Sequence, residues 1–185
     1  MSVKYDGQVA IVTGAGAGLG RSHALALAAR GAKVVINDLG GRDGSLSAGS
    51  LAVVAEIEAA GGEAIANGAN VADMTQVQLM VEQTMEKWGR IDILVNNAGI
   101  LRDKSFGNMP IEDFKLVVDV HLMGAANCSK AVWNIMKAQQ YGRIVMTTSS
   151  SGLYGNFGQA NYGAAKMGVA GLMNTLCIEG EKYGI

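Results

Sequence analysis

Two residues near the C-terminal end of the chain, Tyr162 and Lys166, have the side-chain types and the spacing for proton transfer at neutral pH. On a helix, side chains four residues apart lie on one face. A free tyrosine has a pKa of about 10, too high for efficient proton transfer near pH 7, and a neighbouring cation favours its phenolate form. Ser149 lies shortly before this pair, directly after the apolar segment 143–147. Taken alone, a tyrosine beside a lysine is also typical of an ordinary protein surface.

The stretch VTGAGAGLGRS, residues 12–22, joins a predicted strand to a helix that begins near Gly18. The first turn of a helix presents N–H groups without intrahelical partners, together with partial positive charge. Because glycine has no side chain, such a loop lets its backbone come close to an anion. The stretch therefore predicts a phosphate-binding turn.

Two familiar phosphate motifs nearly match this turn, and neither fits. The triphosphate loop G-x-x-x-x-G-K-[ST] requires a glycine where the chain has Ala15 and a lysine where it has Arg21. The dinucleotide motif G-x-G-x-x-G, aligned on Gly14, meets Leu19 at its third glycine. Aligned on Gly16, it meets Arg21 there instead. The turn alone leaves the ligand open.

Asp38 closes the predicted strand that follows the glycine-rich turn and its helix. A carboxylate at this point of a nucleotide-binding fold accepts hydrogen bonds from the adenosine ribose hydroxyls and repels a 2′-phosphate. The position therefore favours NAD over NADP. Taken alone, Asp38 is also compatible with a solvated carboxylate in a turn.

Apolar runs of strand length alternate with helical segments along the chain. The predicted strands are Val9–Val12, Lys33–Ile36, Glu63–Ala66, Ile91–Val95 and Arg143–Met146. The predicted helices cover residues 18–30, 50–60, 75–88, about 110–138 and 161–182. Glycines after the first three helices fit a left-handed C-terminal cap, and Pro110 fits the start of the fourth. Apolar runs without polar alternation predict strands that are buried on both faces.

This alternation predicts an α/β fold with a doubly wound, Rossmann-like parallel sheet and right-handed crossovers. The chain has no internal repeat and no linker-like segment, so a single domain is expected. Its 185 residues are 49% apolar and 17% charged, with a net charge of −1. The charge gives no reason to expect nucleic acid or an anionic membrane surface as a partner.

Membrane spans, secretion and metal binding are not expected from the sequence. No apolar run is long enough to cross a bilayer, and the first residues lack the apolar core of a secretory signal. Cys128 and Cys177 lack the spacing of metal ligands. We expect both cysteines to be small core residues of a protein in a reducing compartment, without a bound metal.

Together, the motifs resemble those of the short-chain dehydrogenase/reductase family over essentially the whole chain. The matching motifs are Thr13-Gly14-x-x-x-Gly18-x-Gly20, Asn96-Asn97-Ala98-Gly99 and the set Ser149, Tyr162 and Lys166. The resemblance implies an enzyme with a nicotinamide cofactor. The cofactor-binding residues that it implies are Gly14, Gly18, Leu19, Gly20, Asp38, Asn70, Val71, Asn97, Ala98, Gly99, Tyr162 and Lys166.

The same resemblance implies the catalytic roles. Tyr162 would exchange the proton of a secondary alcohol, Ser149 would hold the substrate oxygen as it gains charge, and Lys166 would contact the nicotinamide ribose. His121 stands where many family members have an asparagine that holds a water of the proton relay. Histidine can also anchor a water, and the alternative is a hydrogen-bonded helix residue with no catalytic part. Asn70 is also compatible with an ordinary turn.

The resemblance bears on the choice of cofactor as well. Family members that use NADP often carry a basic residue at the position of Ala17 or Leu39, so these two residues favour NAD. Arg42 lies near enough in sequence to keep NADP as the alternative.

Longer stretches resemble one subgroup, the (3R)-hydroxyacyl-CoA dehydrogenase domain of peroxisomal multifunctional enzyme type 2 and its bacterial stand-alone relatives. These stretches are residues 37–41, 101–106, 120–122 and 151–162. They imply oxidation of a (3R)-3-hydroxyacyl-CoA to the 3-ketoacyl-CoA, in the cytoplasm, or in peroxisomes if the source is eukaryotic. The alternatives are a 3-oxoacyl-carrier-protein reductase or other short-chain alcohol dehydrogenase, and a non-catalytic dinucleotide-binding or assembly protein.

The resemblance also implies an organisation and an assembly state. Because the family pattern continues past Ile185, we expect residues 1–185 to be one dinucleotide-binding and catalytic domain, truncated before the substrate loop and the last strand. The helical segments Glu112–Ala138 and Asn161–Lys182 resemble the helices through which family members associate, which implies a homodimer or homotetramer. The expected partner is a small-molecule substrate, an acyl-CoA.

Overall fold

Five strands of this computed structural model form one parallel sheet. The structure describes residues 3–41 and 44–185, so Arg42 lies outside the described residues. The strands are β1 Val9–Thr13, β2 Lys33–Asn37, β3 Ala64–Asn67, β4 Ile93–Asn96 and β5 Arg143–Met146. Their order is β3-β2-β1-β4-β5, and every neighbouring pair is parallel. The predicted α/β fold with a parallel sheet is confirmed.

Helices connect the strands in the predicted alternation. They are α1 Gly18–Ala28, α2 Ala48–Ala59, α3 Met74–Trp88, α4 Ile111–Val118, α5 Gly124–Gln139, α6 Ser150–Tyr154 and α7 Ala160–Gly180. Short 3₁₀ turns cover Phe106–Asn108 and Glu181–Tyr183. Gly31, Gly61 and Gly89 have φ values of +97°, +82° and +71°, which confirms the left-handed positions predicted after the first three helices.

The predicted helix over residues 110–138 is not one continuous α-helix. A π-helical turn, Asp119–Met123, separates α4 from α5. Such turns are rare inside helices and are often found at functional sites, and this one carries His121. The sequence also did not predict α6, because a helix of five residues is too short to show a hydrophobic period.

The core lies in two layers, one on each face of the sheet. Ala10 and Val12 of β1 belong to one cluster and Ile11 belongs to the other, as the alternation of side chains along a strand requires. Helices α1 and α2 pack on the first face, and α3 and α5 pack on the second. The continuous apolar run of β1 is therefore buried on both faces, as predicted.

The prediction that Arg143–Met146 is a buried strand is wrong. Arg143 is exposed and Val145 is 49% exposed, because β5 pairs only with β4 among the described residues. The expectation for the cysteines is right for one of them. Cys128 is buried, and burial raises the pKa of its thiol to about 12, whereas Cys177 is exposed on α7.

The fold brings the carboxyl ends of β1 and β4 together in the middle of the sheet. Strand order reverses there, since β2 follows β1 on one side and β4 lies on the other. In open α/β sheets, ligands bind in the crevice outside this reversal point. Within the described residues, no helix is long and apolar enough to cross a membrane.

Candidate active site

The glycine-rich turn lies at this crevice, between β1 and α1. Gly14 has a φ of +62°, and a Cβ atom placed on it would lie 2.8 Å from the Cα of Ala98. A Cβ atom on Gly20 would overlap the carbonyl oxygen of Gly14. Side chains are thus excluded where the turn packs on the segment after β4. The first turn of α1, with exposed Leu19, leaves its N–H groups for an anion.

A hydrogen-bond network through Thr13 and Asn97 joins the ends of β1 and β4. The Thr13 hydroxyl accepts from the backbone N–H groups of Asn97 and Ala98, both at 3.0 Å, and donates to the Val95 carbonyl at 3.3 Å. The Asn97 amide donates to the carbonyl oxygens of Thr13 and Gly14, at 2.9 and 3.1 Å. Sequence analysis missed this role of Thr13, because its partners lie far away along the chain.

Asp38 and the Asn70-Val71 pair lie at the adjoining edge, after β2 and β3. The Asp38 backbone N–H donates to the Asn67 carbonyl at 3.0 Å. The Asn70 side-chain oxygen accepts from the Ala72 N–H at 3.0 Å, so this side chain shapes a local turn. Val71 is buried, and its carbonyl accepts from the side chain of Asn127.

Tyr162, Lys166 and His121 converge at the other side of the crevice. The Lys166 Nζ lies 5.5 Å from the centroid of the Tyr162 ring and donates to the Thr147 carbonyl at 2.6 Å. The His121 ring meets the Tyr162 ring edge-on, with centroids 5.1 Å apart and an interplanar angle of 89°. The contact between Tyr162 and Lys166 follows from helical spacing, but the contact between Tyr162 and His121 joins α7 to the π-helical turn.

Ser149 caps the N-terminus of α6, beside α7. Its Oγ accepts from the Ser151 N–H at 3.2 Å, which orients the side chain and leaves its hydroxyl hydrogen available for another acceptor. Helix α6 packs closely on α7, since a Cβ atom on Gly152 would lie 3.0 Å from the Met167 nitrogen. A short helix therefore positions Ser149, where sequence analysis predicted neither a helix nor a strand.

The imidazole of His121 is buried between the segment after β4 and a small cavity with a mixed polar and apolar lining. Its Nε2 lies 3.0 Å from the Ile100 nitrogen and 2.8 Å from the Ile100 oxygen. Burial lowers the pKa of His121, as does the positive charge of Lys166, although the Ile100 hydrogen bond opposes them. A Cβ atom on Gly99 would overlap the ring, which explains why a glycine is needed there.

The cavity has a volume of about 10 Å³, which is room for about one water molecule. Its lining includes Asn96, His121, Thr147 and Lys166. Two buried atoms at this place, the His121 Nδ1 and the Asn96 Oδ1, have no hydrogen-bond partner among the described residues. A small cavity bordered by residues with unpaired polar atoms is the kind of site that holds a structural water.

A second network that sequence analysis missed holds the loop between α6 and α7. Gln159 accepts from the Ser151 hydroxyl at 2.9 Å and donates to the Asp103 carboxylate at 2.8 Å. Asn161 is fully buried and donates to the Arg102 carbonyl at 3.0 Å. The segment after β4 thus braces the loop that precedes Tyr162.

Burial of Lys166 predicts a pH-dependent cost to folding. The residue is 4% exposed, and burial lowers its pKa from 10.5 to about 8. Below about pH 8, Lys166 is protonated in both the folded and the unfolded state, and the folded state carries the full desolvation cost. Between about pH 8 and 10.5 the unfolded state binds more protons than the folded state, so stability rises with pH. We expect Lys166→Met to raise the free energy of unfolding by roughly 1–3 kcal/mol near pH 7.

Urea unfolding of both proteins near pH 7 and near pH 10 measures this effect. The gain in stability should shrink at the higher pH, because the parent lysine is then neutral in the folded state. A variant that is less stable than the parent near pH 7 would contradict the prediction.

Comparisons with known proteins identify the family of this chain. Residues 8–185 match the family model described as short chain dehydrogenase. The chain is 55% identical to peroxisomal multifunctional enzyme type 2 of Drosophila melanogaster over 99% of its own length and 31% of that protein. It is 49% identical to the 3-oxoacyl-[acyl-carrier-protein] reductase of Synechocystis, covering 96% of this chain and 70% of that protein.

A solved structure has the same fold. The crystal structure of a short chain dehydrogenase from Mycobacterium avium superposes with a TM-score of 0.92 at 46% identity, covering 97% of this chain and 65% of that one. The chain spans less than a third of the length of the Drosophila relative. The family match over nearly the whole chain and these identities show that the chain belongs to the short-chain dehydrogenase/reductase family of oxidoreductases.

Proposed function

We propose that this protein catalyses NAD-dependent hydride transfer between a secondary alcohol or ketone and nicotinamide, and that its substrate is a (3R)-3-hydroxyacyl-CoA. The observation that carries the proposal is the convergence of Tyr162, Lys166 and His121 at the carboxyl ends of β1 and β4. Residues 1–185 would form one dinucleotide-binding and catalytic domain.

The residues present fit a dinucleotide. Gly14 and Gly20 let the turn pack closely without side chains, and Gly18 borders open space. The first turn of α1 has no side-chain cap, so its N–H groups would bind a pyrophosphate. Asp38 would bind the adenosine ribose and exclude a 2′-phosphate, which favours NAD over NADP. Asn70 and Val71 would border the adenine, and the segment from Asn97 to Gly99 would lie along the cofactor.

The catalytic step assigns one task to each polar side chain. Bound NAD supplies the hydride acceptor. The Tyr162 oxygen takes the proton of the substrate hydroxyl, and the Ser149 hydroxyl donates to the same substrate oxygen as it gains charge. The Lys166 ammonium, which lies 5.5 Å from the centroid of the Tyr162 ring, would reach the nicotinamide ribose.

We assign His121 to the proton path. Its Nδ1 and the Asn96 Oδ1 border the small cavity that Lys166 also lines. A water held there would pass a proton between Lys166 and solvent, and the hydrogen bond of His121 Nε2 to the Ile100 backbone would hold the imidazole in place. The neutral form that burial favours suits this task, since neutral imidazole both donates and accepts.

The substrate class rests on the relatives. The Drosophila relative is named a peroxisomal multifunctional enzyme, and the Synechocystis relative is named a 3-oxoacyl-[acyl-carrier-protein] reductase. The second name keeps a carrier-protein reductase as the alternative, although Asp38 disfavours the NADP that such a role commonly uses. A non-catalytic dinucleotide-binding or assembly protein would not need Ser149, Tyr162 and Lys166 together.

Formation of NADH on mixing the purified protein with NAD and a (3R)-3-hydroxyacyl-CoA tests the proposal. We expect turnover with the (3R) isomer, little with the (3S) isomer, and a preference for NAD over NADP. Turnover of the (3S) isomer alone would overturn the substrate assignment. NADPH-dependent reduction of a 3-oxoacyl carrier protein, without acyl-CoA oxidation, would favour the alternative enzyme.

The proposed assembly is a homodimer or homotetramer formed through the helical segments Glu112–Ala138 and Asn161–Lys182, which include α5 and α7. A groove of about 490 Å³ with apolar walls lies between these helices, and its lining includes Trp133, Leu172 and Leu176. We place the enzyme in the cytoplasm, or in peroxisomes for a eukaryotic source, as the name of the Drosophila relative suggests.

A further inference from the structure

Gly16 is buried where three segments meet: the glycine-rich turn, Asp38 after β2, and the first turn of α2. A Cβ atom on Gly16 would overlap the Asp38 Oδ2 and would lie 3.1 Å from the Ser50 nitrogen. From the other side, a Cβ atom on Gly49 would lie 2.8 Å from the Gly16 oxygen and 3.2 Å from its Cα. The Asp38 carboxylate thus lies in the space that a side chain at residue 16 would occupy.

Backbone conformation does not explain the glycine at this position. Gly14 and Gly18 of the same turn have φ values of +62° and +53°, but Gly16 is not among the described glycines with positive φ. An alanine at residue 16 would therefore be free of the strain that it would meet at Gly14 or Gly18. The Asp38 carboxylate is the nearest neighbour that it would displace.

The N-terminus of α2 lies beside the same space. The position that a Cβ atom of residue 16 would take lies 3.1 Å from the Ser50 nitrogen and overlaps the Asp38 Oδ2. Ser47 caps this helix, with its Oγ accepting from the Ser50 N–H at 3.0 Å. The half-buried Asp38 side chain thus lies between the glycine-rich turn and the first turn of α2.

We propose that Gly16 is a positioning residue for cofactor choice. The absence of a side chain lets Asp38 lie against the pyrophosphate turn, where its carboxylate meets the adenosine ribose and repels a 2′-phosphate. This inference rests on the proposed NAD-dependent function, and it assigns to Gly16 a role that the general glycine pattern of the turn does not require.

The first test is the ratio of kcat/KM with NAD to kcat/KM with NADP for Gly16→Ala. We expect this ratio to fall by about tenfold or more, because a displaced carboxylate loses charge-assisted hydrogen bonds to the ribose. The change should be in KM for NAD and in the Kd for NADH measured by fluorescence, with kcat nearly unchanged. Gly107→Ala is the matched control, because a Cβ atom there meets nothing within 4 Å, and its ratio should equal that of the parent.

A double-mutant cycle distinguishes failure of this inference from failure of the proposed function. Asp38→Ala alone should lower the same ratio, and Gly16→Ala should add little in the Asp38→Ala background. An unchanged ratio in Asp38→Ala would overturn the assignment of Asp38 as the cofactor selector. A ratio that falls in Asp38→Ala but not in Gly16→Ala would overturn the role of Gly16, and so would equal effects of Gly16→Ala in both backgrounds.

The cycle stays informative if Gly16→Ala does not fold. The double variant Gly16→Ala with Asp38→Ala lacks the overlapping carboxylate and should then fold. Circular dichroism and thermal unfolding measure this rescue. Failure of the double variant to fold would show that the backbone of α2, rather than Asp38, requires the glycine, and would overturn the inference.

Discussion

Replacing Tyr162 with phenylalanine is expected to lower kcat for oxidation of the (3R)-3-hydroxyacyl-CoA by about 10²- to 10⁴-fold, since the variant lacks the group that takes the alcohol proton. The phenylalanine ring keeps the edge-on contact with His121 and the position near Lys166, so the fold and NADH binding should be retained. Steady-state kinetics and a fluorescence titration with NADH measure the two quantities.

Tyr183→Phe is the matched control for the loss of a tyrosine hydroxyl. Tyr183 lies after α7, and its ring contacts Lys137 with the Nζ 4.4 Å from the ring centroid, away from the crevice. We expect its kinetics to equal those of the parent. Activity that survives in Tyr162→Phe would contradict the proposed acid–base role of Tyr162. Loss of both activity and NADH binding would indicate a folding defect.

The largest expected effect on stability comes from Thr13→Val, a change of nearly equal volume. The valine leaves the backbone N–H groups of Asn97 and Ala98 without their acceptor in a part-buried place. Each buried donor left unpaired costs about 1–3 kcal/mol, so we expect a loss of roughly 2–4 kcal/mol in the free energy of unfolding. Urea unfolding followed by circular dichroism measures it.

Thr13→Ser keeps the hydroxyl and serves as the control. It should lose much less stability than Thr13→Val, because the two N–H groups keep their acceptor. The affinity for NADH should also fall in the valine variant, since Asn97 and Gly14 are joined through the same network. Equal stability of the valine and serine variants would show that the hydroxyl does not hold β1 and β4 together.

Local patterns predicted most of the fold. Continuous apolar runs identified β1 and β2, and glycines at left-handed positions marked the ends of the first three helices. The pattern failed at β5, because an apolar run reports the tendency to be buried but not whether another element covers it. It failed at Cys177 for the same reason.

The π-helical turn at Asp119–Met123 shows a second limit of local patterns. One wider turn hardly changes the hydrophobic period of a long helical segment, so sequence analysis predicts a continuous helix. The turn nevertheless places His121 between Ile100 and Tyr162. Its contribution to the site depends on contacts across the fold.

The sequence by itself determined the chemistry-bearing residues and the pairs that are close along the chain. Tyr162 and Lys166 share a helix face because four residues make about one helical turn. The glycine-rich turn was predictable because Gly14 and Gly18 have positive φ values, which favour glycine. Only the tertiary structure decided which distant residues meet: Thr13 with Asn97, and Gly16 with Asp38. These contacts depend on strand order and register, which residues far apart in sequence set together, and so no local pattern contains them.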